Sequence, residues 1–440
     1  MSEQLALTGN RAGAAAGLAD SAPTATGHDS GYLRVFVFAL FFFFGGITSL
    51  NDVIIPRLKE LFTLSYAEVM TVQSAFFGAY FIISLPAAAV VRRIGYMRSA
   101  VVGLSLMMIG CLLFIPASAS ALFQMFLLAL FIVAAGITVV QVVANPLISL
   151  LGPPATVHSR LTFAQAFNSL GTTIFPFVGA SLILGSLSTV DPKTLTGAAL
   201  TSYRAQETHV IGGTYLGLAL TLLVLASMVW WYRDHLREQR TPGSSWREAL
   251  ALLRVPRFVF GAGCIFLYVG AEVAIGSLIV NYLMQTDVLG LGQQAAGKHV
   301  PLYWGGAMVG RFIGSYVLRL FSPGKVLAVA ATGVITLLFI SSHSTGVVSG
   351  WSLLAIGLCN SIMFPTIFSL ASEGLGPRAA SASGIIAVAI VGGAVIPPLT
   401  GHLADVFSLR AALFVPAICH LGILAYGIYA RRPAPAAVQA

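Results

Sequence analysis

Long apolar segments separated by short polar gaps run along almost the whole chain. A membrane-spanning helix needs about 20 mostly apolar residues, and twelve segments approach or exceed that length. The predicted spans are residues 32–57, 66–91, 99–117, 121–149, 161–186, 210–232, 257–285, 299–320, 325–342, 349–372, 379–403 and 410–430. The pattern therefore predicts an all-α membrane protein with twelve transmembrane helices.

The longest gap between two spans lies in the middle of the chain and divides them into two sets of six. In that gap, residues 246–257 alternate arginine with alanine and leucine at helical spacing, which predicts an amphipathic helix on the membrane surface. The predicted organisation is a disordered cytoplasmic tail at 1–30, a six-helix bundle at 31–232, a cytoplasmic linker at 233–256, a second six-helix bundle at 257–430 and a cytoplasmic tail at 431–440.

Short motifs recur in the two halves in the same order. They are basic residues around the turn after the second span, a glycine and a proline in the fifth span, and a Leu-Gly-Pro that follows the fourth span. The matched positions are Arg92 and Arg98 with Arg319 and Lys325, Gly171 and Pro176 with Gly392 and Pro397, and residues 151–153 with 375–377. Such a repeat predicts two pseudo-symmetric bundles with a substrate site between them, near the middle of the membrane.

Composition and charge agree with this pattern. Of the 440 residues 57% are hydrophobic and only 9% are charged, whereas a soluble domain carries about 25% charged residues. The formal net charge of +9 comes from cations in the gaps, with the excess on the side of the termini. This distribution predicts cytoplasmic termini in a bacterial inner membrane. We expect a monomer surrounded by lipid, and no nucleic-acid partner.

Three formal charges fall clearly inside predicted spans, where charge is costly and usually functional. Asp52 lies late in the first span, Glu272 in the seventh and Arg311 in the eighth. A desolvated carboxyl at Asp52 can exchange a proton at physiological pH; the alternative is a partner to a polar neighbour or a helix end close to water. Glu272 and Arg311 are placed to form a structural ion pair, although Glu272 is equally a candidate for cation coupling.

Amide side chains form a second group of polar residues inside the spans. Gln141 and Asn145 share one face of the fourth span, Gln165 and Asn168 share one face of the fifth, and Asn360 lies in the tenth. An amide both donates and accepts hydrogen bonds, as a sugar hydroxyl does. Amides also join helices to one another in membranes. Two same-face pairs on successive spans favour a binding site.

Aromatic residues offer a flat surface for the C–H face of a sugar ring, and Trp304, beside Tyr303, and Phe364 are the candidates. The two histidines near the end of the chain, His402 and His420, are interpreted as structural. Four cysteines fall in apolar runs without metal-ligand spacing and are interpreted as packing residues. The chain has no nucleotide loop or nucleophile arrangement, so we expect neither an enzyme nor a cofactor.

Five segments together are characteristic of one family: SLND at 49–52, VQSAFF at 72–77, ANP at 144–146, RLTFAQAFNSLG at 160–171 and FPTIFSL at 364–370. From about residue 36 to 425 the chain resembles the fucose:proton symporter family of the major facilitator superfamily. The resemblance implies the major facilitator fold. It also implies that Asp52 contacts the sugar and couples transport to a cation, and that Gln165 and Asn168 bind the sugar.

The chain departs from the fucose branch at Gln141, where that branch carries a second acid. A glutamine there, with GGITSLND at 45–52 and GAEV at 270–273, resembles the glucose/galactose branch. The superfamily's acidic position after the second span corresponds to Arg92, so the gate contacts of better-known members do not transfer to this chain.

These observations predict a secondary transporter that imports a neutral hexose by alternating access. The coupling ion is a proton or sodium, through Asp52 with Glu272 as a second candidate. The alternatives are an uncoupled uniporter and a non-transporting sugar sensor. The predicted sugar-binding residues are Asn51, Asp52, Gln141, Asn145, Gln165 and Asn168 from the first half and Trp304, Asn360 and Phe364 from the second.

Overall fold

The computed structural model describes residues 29–62, 66–120, 122–184, 197–233, 250–375 and 378–432. Within these ranges the side chains of residues 29–32, 50–61, 66–74, 154, 176–184, 198, 200–202, 204–208, 210–211 and 293–294 are not described. Residues 246–249 of the amphipathic helix predicted in the linker and most of both predicted tails lie outside the described residues. In the described part of that segment, Leu252–Arg254 form a short 3-10 helix and the next long helix begins at Pro256.

Six long helices form the first half. They are α1 (Asp29–Phe62), α2 (Tyr66–Ile94), α3 (Tyr96–Ser120), α4 (Phe123–Leu150), α5 (Val157–Leu184) and α6 (Gly197–Tyr232). Gly95, at φ 85°, makes the one-residue turn between α2 and α3, since glycine adopts this left-handed conformation without a steric penalty. The sixth helix begins at Gly197, well before the predicted residue 210.

The second half contains the other six spans, two of them broken. Its main helices are α7 (Pro256–Met284), α8 (Val300–Leu320), α9 (Pro323–His343), α10 (Gly346–Asn360), α11 (Met363–Ser372), α12 (Ala379–Ala389), α13 (Gly392–Val406) and α14 (Phe414–Tyr429). Helices α10 and α11 together make the tenth span, and α12 and α13 make the eleventh. The sequence predicted each as one continuous helix.

Within the described residues, nine helical segments are long and apolar enough to cross a membrane, and a shorter apolar helix covers Leu33–Ser49. Helices α1, α5 and α8 occupy the three remaining predicted spans. Large apolar side chains point outward from the bundles; Trp231, for example, is 79% exposed. Such a surface requires lipid as its solvent.

The two halves repeat one close helix contact. A Cβ atom at Gly171 of α5 would collide with the carbonyl oxygen of Phe42 in α1, and a Cβ at Gly392 of α13 would collide with that of Phe266 in α7. In both halves a glycine of the fifth span therefore lies directly against the backbone of the first. Close backbone approach through small residues is typical of membrane helices. The glycine match predicted from the sequence has this structural basis.

The halves meet at the end of the molecule where α2, α8 and α11 end and where α5 and α12 begin, here called the basic end. Arg92 donates a hydrogen bond to the Ser381 hydroxyl across 3.0 Å, and Gly384 lies against Ala88. Three further hydrogen bonds join the two halves. His158 Nδ1 lies 2.7 Å from Ser369 Oγ. Ser159 Oγ donates to the Ser315 carbonyl at 2.6 Å and accepts from Arg319 Nε at 3.0 Å. These contacts close the basic end.

Candidate functional site

The centre of the second half is organised by the break in the tenth span, between Asn360 and Met363. Carbonyl groups at a helix end lose their intrahelical donors, and in a membrane they need other partners. The Tyr268 hydroxyl lies 3.1 Å from the Asn360 carbonyl oxygen. Arg311 donates from Nε to the Ser361 carbonyl at 3.1 Å. Side chains of α7 and α8 thus stabilise the broken helix.

The side chain of Asn360 belongs to a hydrogen-bonded network within the second half. Its two polar atoms lie 3.0 Å from the Tyr303 hydroxyl and 3.1 Å from His420 Nε2. His420 Nδ1 donates to the Pro416 carbonyl at 2.7 Å. Asn360 and His420 are both 0% exposed. In this conformation both polar atoms of the Asn360 side chain have partners inside the second half, and its role in sugar binding stays a prediction.

Glu272 and Arg311 have different partners. Glu272 is partly exposed, and its Oε1 lies 2.7 Å from the Tyr268 hydroxyl. Arg311 donates across to the first half, to the Gln165 carbonyl at 3.2 Å and to the Ser169 hydroxyl. Among the described contacts, the direct ion pair predicted between Glu272 and Arg311 is not formed, because Arg311 serves the helix break and the neighbouring half instead.

In the first half, the amides of α4 and α5 come together as the spacing predicted. Gln165 Nε2 lies 3.4 Å from Asn145 Oδ1, and Gln141 is one helical turn from Asn145 on the same face. All three side chains are buried. The Gln141 Oε1 atom is buried and has no hydrogen-bond partner in the described part of the chain. A buried acceptor without a donor is costly, so a ligand hydroxyl that reached this atom would remove that cost.

The fourth predicted amide, Asn168, faces α1. Its Nδ2 lies 3.3 Å from the Phe41 carbonyl, and it packs where Gly45 has no side chain. Asn168 is only partly buried. It lies on the same helix as Gln165 and Ser169, so Arg311 touches the helix that carries these amides.

The aromatic candidates differ in exposure. Trp304 is 39% exposed, lies edge-to-face with Tyr303 at 5.0 Å between ring centroids, and approaches Gly276 of α7. Phe364 is only 9% exposed and stacks on Phe368. Trp304 is therefore the more exposed of the two aromatic candidates, and the role of both in sugar binding stays a prediction.

The structure also brings in residues that the sequence analysis missed or interpreted otherwise: Tyr268, Ser169 and His420. Tyr268 precedes Glu272 by one helical turn, a spacing that could have indicated the contact. Ser169 lies one position from Asn168 and carried no distinguishing signal. Asn51 and Asp52 lie on α1 where side chains are not described, so their roles stay predictions.

Comparison with known proteins places this arrangement in a family. A sequence profile of the Major Facilitator Superfamily matches residues 36–396. A glucose/galactose transporter of Brucella abortus is 46% identical over 405 residues, covering 92% of this chain and 95% of the relative. The L-fucose-proton symporter of Escherichia coli is 31% identical over 393 residues, covering 87% and 89%. The crystal structure of the transporter FucP in the outward conformation has a TM-score of 0.84 at 29% identity, covering 90% of this chain and 98% of that one.

Proposed function

Because the chain belongs to the major facilitator superfamily, we propose that it imports a neutral hexose, glucose or galactose, by alternating access of its two six-helix bundles. The substrate class is supported by the Brucella relative, which bears the name of a glucose/galactose transporter and matches 92% of this chain. A transporter of this superfamily moves its substrate and does not transform it, so the site has to bind and release.

The observation that carries the proposal is the Gln141 oxygen, which has no hydrogen-bond partner among the described residues. Its Oε1 is buried beside the Asn145–Gln165 pair, at the level where Arg311 crosses between the halves. A sugar hydroxyl donates to such an acceptor and can accept from the neighbouring amide nitrogens. Neutral amides suit an uncharged sugar, since they need no counter-ion. Trp304 contributes the apolar surface from the second half.

The closed basic end indicates which side is open. The contacts of Arg92, His158, Ser159 and Arg319 join the halves there. With cytoplasmic termini, as the positive charge of this end favours, the conformation is outward-facing. The sugar then enters from the outer side and leaves when these contacts part.

Import against a gradient requires a coupling ion, and we assign that role to a proton bound at Asp52. A proton moving down one pH unit supplies about 1.4 kcal/mol, which corresponds to about tenfold accumulation of an uncharged sugar. The Escherichia relative is named a proton symporter. Gln141 cannot carry a proton, so the first half relies on Asp52 alone among the predicted site residues.

The experiment is uptake of labelled D-glucose and D-galactose into proteoliposomes under an inward proton gradient, an inward sodium gradient and no gradient. We expect the sugar to accumulate against its gradient under the proton gradient alone. The Asp52→Asn variant should no longer accumulate it. Liposomes without protein give the baseline. The exposed Asp405→Asn is the matched carboxylate control and should transport normally.

Other outcomes correct the proposal in defined ways. If only the sodium gradient drives uptake, the coupling ion is sodium and not a proton. Equal, non-concentrative uptake in all conditions identifies a uniporter and removes the coupling role of Asp52. Binding of sugar without translocation identifies a sensor. No uptake of glucose, galactose, fucose or N-acetylglucosamine contradicts sugar transport.

A further inference from the structure

The Tyr268 hydroxyl has a single hydrogen and two neighbouring acceptors. Glu272 Oε1 lies 2.7 Å away and the Asn360 carbonyl oxygen 3.1 Å away. One hydroxyl hydrogen cannot satisfy both acceptors at full strength. The geometry therefore leaves one acceptor short of a donor unless a second hydrogen is present.

A proton on Glu272 supplies that second hydrogen. The protonated carboxyl donates to the Tyr268 oxygen, and Tyr268 then donates to the Asn360 carbonyl at the helix break. When Glu272 is ionised, Tyr268 donates to the carboxylate, and the Asn360 carbonyl loses this donor. Both acceptors lie within hydrogen-bond reach of the hydroxyl, and only the protonated arrangement gives each of them a hydrogen.

Arg311 responds to the same change. Its guanidinium caps the adjacent Ser361 carbonyl and reaches Gln165 and Ser169 of the other half. It is near Glu272, because Arg311 bonds the Ser361 carbonyl while Tyr268, the partner of Glu272, bonds the adjacent Asn360 carbonyl. A neutral Glu272 leaves Arg311 with the other half, whereas an ionised Glu272 draws it away, because a desolvated carboxylate needs a cation.

We propose that Glu272 is a proton-binding site whose protonation state decides whether Arg311 bridges the two halves. The other titratable groups around it are Tyr268 on its own helix, Tyr303 on α8 and His420 on α14, which acts through Asn360. The inference rests on the proposed proton-coupled function and adds a second proton site in the half that does not carry Asp52. The predicted Glu272–Arg311 ion pair becomes the other state of the same switch.

This switch gives each state a defined electrostatic arrangement. With the outer side open, the partly exposed Glu272 takes a proton, and Arg311 holds α8 against α5. After the basic end opens, Glu272 loses its proton to the inner solution and pairs with Arg311. The pair is neutral as a whole, so the empty carrier returns without an uncompensated charge in the membrane.

The test measures the distance between the halves without any sugar. Spin labels at Arg93→Cys and Arg378→Cys, both exposed positions at the basic end, report its opening in the full-length protein. The four native cysteines, Cys111, Cys264, Cys359 and Cys419, are replaced by alanine. Double electron–electron resonance is recorded from acidic to alkaline pH in lipid nanodiscs.

In the otherwise unchanged protein we expect the short distance at acidic pH and a growing longer population as the pH rises. Glu272→Gln, which mimics the protonated carboxyl, should keep the short distance at every pH. Arg311→Gln should populate the longer distance at every pH. Glu272→Asp retains a titratable group and should respond to pH with a shifted midpoint, which shows that substitution at this position does not simply unfold the protein.

Two results overturn the inference. An unchanged pH response in Glu272→Gln excludes Glu272 as the proton site, and a distance independent of pH in the unsubstituted protein excludes the switch. Either result leaves gradient-driven sugar uptake untouched, so failure here differs from failure of the proposed function. Asp405→Asn, an exposed carboxylate of α13, is the control and should respond to pH normally.

Discussion

The polar groups at the centre of the two halves differ in what their hydrogen bonds leave available. In the first half, Gln141, Asn145 and Gln165 are neutral, and Gln141 retains a buried acceptor that no described side chain or backbone group donates to. In the second half, Asn360 is enclosed by Tyr303 and His420. The first half is therefore suited to bind a ligand, and the second to control its own conformation.

Asn360 and Gln165 illustrate the difference most directly, since both are buried amides in predicted membrane spans. The described hydrogen bond of the Gln165 side chain is a long one, 3.4 Å to Asn145 Oδ1. Both ends of the Asn360 amide, in contrast, contact side chains of other helices. Residue type alone thus does not distinguish a ligand contact from a structural contact; the surrounding donors and acceptors do. The experiments below test this division from the largest expected effect to the smallest.

The largest effect is expected at Arg311, one of the residues whose hydrogen bonds join the two halves. Arg311→Ala removes two inter-half hydrogen bonds from a charged group, each worth about 1.5–3 kcal/mol, so sugar exchange in proteoliposomes should fall at least about 100-fold. Arg254→Ala, which removes an exposed arginine at the basic end, should leave exchange unchanged. Near-normal exchange in Arg311→Ala would mean that the halves do not depend on this contact.

A smaller loss is expected at the unpartnered acceptor. Gln141→Ala removes one hydrogen bond to the sugar, and a loss of about 1.4 kcal/mol corresponds to about tenfold weaker binding. Isothermal titration calorimetry with glucose measures it. Gln124→Ala, an exposed glutamine on the same helix α4, is the matched control. Equal affinity in the two variants would remove Gln141 from the site.

Comparing Asn360→Ala with Gln165→Ala tests whether the first half binds the sugar and the second half controls the conformation. Gln165→Ala should weaken glucose binding several-fold, by about 1 kcal/mol. Asn360→Ala should leave the glucose Kd within about twofold and lower the transport rate, because it loosens the network behind the helix break. Measuring Kd and rate for both variants checks this. A larger loss of affinity in Asn360→Ala would place that residue in the sugar site.

The smallest effect is expected at the aromatic surface. Trp304→Leu should raise the KM for glucose about threefold to fivefold, since contacts of this kind contribute about 0.5–1.5 kcal/mol. Phe364→Leu, at a nearly buried ring, should change KM less than that. Initial uptake rates over a range of glucose concentrations distinguish the two. A reversed order would identify Phe364 as the sugar's apolar partner.

Much of the fold followed from hydrophobic length alone, because a membrane requires long apolar helices whose backbone groups bond internally. The breaks after Asn360 and after Ala389 did not follow, since apolar residues continue through both. The proximity of Asn145 and Gln165 was predictable from helical spacing on successive spans. The partners of Arg311 were not predictable from the sequence, because its acceptors lie on other helices and come within reach only in the packed structure.

The contacts across the basic end have a consequence for the solution conditions under which the protein works. As far as the described residues show, their acceptors are serine hydroxyls and a carbonyl oxygen, with no carboxylate among them. Dissolved salt weakens the attraction between opposite charges, but it has little effect on a short hydrogen bond to a neutral oxygen. We therefore expect the closure of the basic end to depend little on ionic strength.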